Sequence, residues 1–92
     1  MKYRGTVVDG RQLKAGRVLA GLTIREMAAL VRLNRNTVLR VEKFHTLPLF
    51  THAGDRIAEV LMSLGIEFVV QDGRPGVFFS GATQRLRRKY LK

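Results

Sequence analysis

At Gly65 the hydrophobic period of this chain changes, and few small architectures accommodate both halves. Before it, apolar residues recur at helical spacing: Met27, Ala28 and Val31, then Val38 and Val41, then Ile57, Val60, Leu61 and Leu64. After it, Ile66-Glu67-Phe68-Val69-Val70 and Val77-Phe78-Phe79-Ser80 read as strands around the turn cluster Gln71-Asp72-Gly73-Arg74-Pro75-Gly76. The expected order is therefore helices followed by a β-hairpin. With 92 residues, a single domain with a modest core is the natural outcome.

Capping residues set the helix boundaries. Asp9 can accept from the free N–H groups of a first turn, and Gln12 stands where it can reach back. Leu13, Val18, Leu19 and Ala20 belong to a helix of about ten residues that Gly21 stops. Leu22 precedes a second capping box, Thr23-Ile24-Arg25-Glu26, with its hydrophobic staple in place. A turn through Arg32-Leu33 leads to Asn34, the next cap, and to a helix over Arg35–Lys43. Phe44 to Phe50 is a loop punctuated by Pro48, and a fourth helix runs from Thr51 or His52 to Leu64. Four regions follow: an N-terminal arm over 1–8 that is a candidate strand, a helical domain over 9–65, a hairpin over 66–80, and a basic tail over 81–92.

Charge narrows the function. Lys and Arg number 17 against 7 Asp and Glu, a formal net charge of +10, which points to a polyanionic partner, nucleic acid foremost. Half of that excess lies in Arg85, Arg87, Arg88, Lys89 and Lys92, a run that reads as a solvated end, as sequence-blind phosphate contact where it orders, or, with Leu86, Tyr90 and Leu91 at helical spacing, as a docked helix. The chain has no cysteine, which excludes a disulfide framework, a zinc finger and a cysteine nucleophile. His45 and His52 have no further soft ligand beside them, so neither a metal nor another cofactor is expected. No serine–histidine–carboxylate pattern or phosphate-binding loop is present, and an enzyme is not expected. Apolar stretches are too short to span a membrane, and the first residues lack the apolar core of a secretory signal. The expected location is the cytoplasm.

The segment from Thr23 to Lys43 carries the sharper signal. Two short capped helices joined by a tight turn make a helix-turn-helix, with Ala28 small enough for the helix crossing and Leu33 as the apolar plug of the turn. Its second helix presents Arg35, Asn36, Thr37 and Arg40 from the half that touches base edges in major-groove readers. Arginine forks onto guanine O6 and N7, and asparagine matches adenine N6 and N7. Thr23, Arg25, Asn34 and Lys43 are the candidate phosphate contacts.

From Gln12 to about Val77 the chain resembles the XRE, or Cro/C1-type, bacterial and phage regulators. The run Gln12 to Thr23 resembles the family's first helix and its exit, and Met27-Ala28 with Leu33-Asn34-Arg35-Asn36-Thr37-Val38 and Arg40-Val41-Glu42 resembles its helix-turn-helix. Gly65-Ile66-Glu67-Phe68 and Gly73-Arg74-Pro75-Gly76-Val77 are similar to the hairpin ending of small members from bacterial genomes and mobile elements. The resemblance implies a mainly α, lambda-repressor-like bundle of four helices, followed here by a β-hairpin and a basic C-terminal tail. It implies a homodimer on double-stranded DNA with the third helix in the major groove, and a buried ion pair between Arg17 and Glu42.

Some positions depart from that pattern. Arg32 stands where the family often has glycine, and a non-glycine residue in the left-handed conformation costs roughly 1 kcal/mol, so an altered turn is expected. Ile24, Leu39 and Phe44 are apolar where a DNA reader favours polarity, and Leu47, Leu49 and Phe50 extend the apolar character. These six residues are the candidate protein interface. They motivate an alternative on the same fold: an antiactivator that binds and sequesters a transcriptional activator protein. The hairpin edges are a second candidate interface, open to strand addition. RNA binding is a weaker third reading, because the chain offers little aromatic stacking surface.

Overall fold

The computed structural model describes residues 9–43 and 52–80. Four helices, α1 (Gly10–Leu19), α2 (Ile24–Val31), α3 (Arg35–Lys43) and α4 (His52–Ser63), precede an antiparallel hairpin of β1 (Ile66–Gln71) and β2 (Arg74–Phe79). The arm over 1–8, the loop residues Phe44, His45, Leu47, Leu49 and Phe50, and the tail over 81–92 lie outside the described residues. No helix among the described residues is long and apolar enough to cross a membrane.

The helix ends form as their residues dictate. Asp9 Oδ1 accepts from the Arg11 backbone N–H at 2.7 Å and its carboxylate also holds the Arg11 guanidinium, whose pKa is raised by that hydrogen bond and charge. At the other end of α1, Leu22 N–H donates to Arg17 O (3.0 Å) and Gly21 N–H to Val18 O (2.9 Å), with Gly21 left-handed at φ 78°. This double closure is a Schellman motif. The exit of α2 repeats it: Leu33 N–H donates to Ala28 O and Arg32 N–H to Ala29 O, at 2.9 and 3.3 Å. Here the left-handed residue is Arg32, at φ 59° and ψ 48°. Arg32 thus takes the left-handed conformation that glycine would adopt freely, since the closing hydrogen bonds and the burial they permit outweigh the steric penalty. The Arg56 guanidinium, on α4, donates to Val31 O and covers one of the carbonyls that the end of α2 leaves open.

Leu13, Met27, Val31, Val38, Ile57, Leu61, Leu64, Ile66 and Phe68 form the buried centre, to which all four helices and β1 contribute. Helix α1 turns Leu13, Gly16 and Arg17 inward, with Ala20 buried at its C-cap, whereas Val18 and Leu19 are exposed. Gly16 marks the close approach. A Cβ there would lie 3.1 Å from Ile66 Cγ2 and 3.2 Å from Leu61 Cδ1, so the lack of a side chain lets α1 lie against both β1 and α4.

The hairpin turn is tighter than the sequence reading placed it. Only Asp72 and Gly73 lie between the strands, both with positive φ (53° and 74°), which is the signature of a two-residue type I′ turn. Arg74, Pro75 and Gly76 therefore belong to β2, paired with Gln71, Val70 and Val69. Proline is tolerated because among the described residues the sheet has two strands, both at an edge, where its missing N–H need not face a partner. Gln12 gains a role beyond the expected cap: its Nε2 donates to Val69 O (2.9 Å) and Gly76 O (3.1 Å), tying the start of α1 to both strands. Ser80 N–H donates to Gly65 O at 3.0 Å and closes the other end.

The left-handed Arg32 yields a direct test. Replacing it with glycine relieves the Cβ clash and is expected to raise the unfolding free energy by about 1 kcal/mol. Urea denaturation of the two proteins measures this, and an Arg32→Gly variant of lower stability contradicts the strain argument.

Candidate functional site

The exposed face of α3 follows from helix geometry. Arg35, Leu39 and Lys43 form one row at four-residue spacing, and Asn36 and Arg40 form the adjacent row. All five are exposed, while Val38, Val41 and Glu42 are buried on the opposite side. Thr37 is half-buried on the flank, so of the four residues expected at base edges it is the one the geometry turns aside. The sole acid of α3, Glu42, faces inward, which leaves Arg35, Arg40 and Lys43 as the charges on the outer face.

What orients that face is a buried ion pair. Arg17 Nε donates to Glu42 Oε2 at 2.8 Å and Nη2 donates to Oε1 at 3.2 Å, a fork-to-carboxylate arrangement from α1 to α3. Nη1 donates to Leu22 O at 2.9 Å, in the link between α1 and α2. The two residues are 8% and 5% exposed. Arg17 is consequently not a surface cation, whatever its charge implies when counted in the sequence.

The starts of α2 and α3 are both capped. At α2, Glu26 N–H donates to Thr23 Oγ1 (3.0 Å) and Thr23 N–H to Glu26 Oε1 (2.9 Å), a complete capping box beside exposed Arg25. The Thr23 hydroxyl accepts in this box and keeps its own proton for an outside acceptor. At α3, Asn36 N–H donates to Asn34 Oδ1 at 2.7 Å, while Asn34 itself is exposed. Its amide group carries two further donors. Each start thus places backbone N–H groups and a side-chain donor at the positive end of a helix.

The six residues set aside as a protein interface separate. Ile24 is only half-exposed and packs against the core, so its apolar side chain is accounted for inside the domain. Leu39 is 40% exposed, in the middle of the cationic face. Phe44, Leu47, Leu49 and Phe50 lie outside the described residues. Val18 and Phe78, expected only as members of a helix and a strand, are 59% and 62% exposed. The strand alternation carried the signal for Phe78, because Val77 and Phe79 point inward on either side of it.

The two kinds of arginine are separable by experiment. Arg17→Ala leaves Glu42 buried and unpaired and is expected to cost about 3–5 kcal/mol of stability. Arg35→Ala and Arg40→Ala alter an exposed face and are expected to stay within about 0.5 kcal/mol of the unsubstituted protein. Urea unfolding of the three variants measures both, and a mild effect at Arg17 contradicts the structural role.

No family model, curated protein or solved structure matches this chain, so the reading of the site rests on its own geometry.

Proposed function

We propose that this protein is a sequence-specific DNA-binding transcriptional regulator of lambda-repressor-like architecture, with α3 as its recognition helix in the major groove. The observation that carries the reading is the outer face of α3, where Arg35, Asn36 and Arg40 stand exposed together and the helix's one acid is turned away. Arg35 and Arg40 have the fork that fits guanine O6 and N7, and Asn36 the amide that fits adenine N6 and N7. Thr23, Arg25, Asn34 and Lys43 hold the backbone phosphates on either side. Donors at the two helix starts and two cations support that assignment. Thr37 takes a lesser part, as its half-buried position supports at most a flanking contact.

The protein acts as a homodimer on an inverted repeat, with half-site centres separated by about 34 Å, one helical turn. The hairpin supports self-association, since β2 is an edge strand among the described residues and Phe78 stands exposed on it. The basic run over 83–92 adds affinity for any duplex and no sequence choice. The antiactivator reading keeps Leu39 in its favour but not Ile24, which the core occupies. One leucine among three cations and an asparagine is a poor docking face for a protein and a suitable one for a polyanion.

Gel-shift against the promoters of neighbouring genes, at two salt concentrations, tests the proposal. Arg35→Ala and Arg40→Ala are each expected to weaken binding by about 1–3 kcal/mol and to relax base preference at one position. Lys43→Ala is expected to weaken all sequences alike and to reduce the salt slope. Binding that is salt-sensitive but indifferent to sequence overturns the proposal.

A further inference from the structure

We propose that Leu39 reads a thymine: its side chain meets the C5 methyl group of one thymine in each half-site and selects for that base. The inference rests on the DNA-binding reading above and adds to it the one apolar element of the α3 face. Leu39 lies four residues after Arg35, three after Asn36 and one before Arg40, with Lys43 one turn further on, and it is 40% exposed. Any approach of α3 that brings Arg35 and Arg40 onto base edges carries Leu39 into the same groove. Once there, a side chain with no donor or acceptor covers whatever base edge it faces.

The chemistry of the groove then decides what it tolerates. Guanine, adenine and cytosine present acceptors or donors, and covering one without a hydrogen bond leaves a desolvated polar group. Thymine adds a C5 methyl group, the one apolar feature of the major groove. Leu39 thus acts in both directions, gaining from the methyl contact and rejecting cytosine, whose N4 amine it would leave without a partner. Exposure in the free protein is consistent with this role, because the side chain is not needed to complete the core. The same exposure that would suit a protein partner is surrounded by Arg35, Asn36, Arg40 and Lys43, whose chemistry matches nucleic acid.

The test uses the full chain and a pool of randomised double-stranded DNA. The enriched site is resynthesised with each thymine in turn replaced by deoxyuridine, which pairs identically and lacks only the methyl group. Fluorescence anisotropy then compares the unsubstituted protein with Leu39→Ala. One position per half-site is expected where methyl removal weakens binding about fourfold, equivalent to ~0.8 kcal/mol for one buried apolar carbon. At that position Leu39→Ala is expected to bind the thymine and uracil duplexes equally. Enrichment of a site with no such position overturns the proposal and leaves the DNA-binding reading standing. So does a uracil penalty that persists in Leu39→Ala. A pool that yields no enriched sequence overturns the DNA-binding reading and this inference together.

Discussion

The buried pair between Arg17 and Glu42 is the constraint on which the arrangement of the helices depends. A charged carboxylate and guanidinium inside the domain are tolerated only when each satisfies the other, so α1 and α3 must meet at one register. The third donor of Arg17, on Leu22 O, extends the constraint to the link that leads into α2. Such a pair adds little net stability over apolar residues of the same volume, but a misplaced α3 would strand two buried charges. Its consequence is directional. With Glu42 held inward, the row Arg35, Leu39 and Lys43 and the row Asn36 and Arg40 are turned outward.

Helix caps and turn chemistry made most of the fold legible before any coordinate. Asp9, Thr23 with Glu26, and Asn34 act where a local reading places them, since a cap depends only on its own few neighbours. Positions decided by distant contacts were less legible. The helix period did not assign an inner face to α1: Gly16 and Arg17 hold it, for reasons that lie in Ile66, Leu61 and Glu42. The Asp72-Gly73 turn was visible, but the proline after it concealed the start of β2. Only the pairing register shows that Pro75 sits in a strand with no outer neighbour among the described residues.

The candidate site divides along the same line. Arg35, Asn36 and Arg40 share a face by helix period alone, so their exposure could be anticipated from spacing. Ile24 looked like a surface anomaly because its partners in the core are remote in sequence, and Thr37 looked equivalent to its neighbours until the packing of α3 turned it aside. Arg32 is the clearest case of helix-end hydrogen bonding overriding a residue's own conformational preference. The closing hydrogen bonds hold a non-glycine residue in the left-handed region at the corner between α2 and α3. The net charge, finally, has less meaning than the placement of a few cations. Arg17 is consumed inside the domain, and half of the excess belongs to the last ten residues.

Amide chemical-shift mapping of the full chain during titration with its selected duplex addresses the central proposal most directly. The account predicts that the largest changes fall on Asn34 to Arg40 and on Thr23 to Arg25, with Lys43 following, while the amides of buried Leu61 and Leu64 stay in place. Changes confined to residues 83–92 or to the hairpin, with α3 unmoved at saturation, would contradict it.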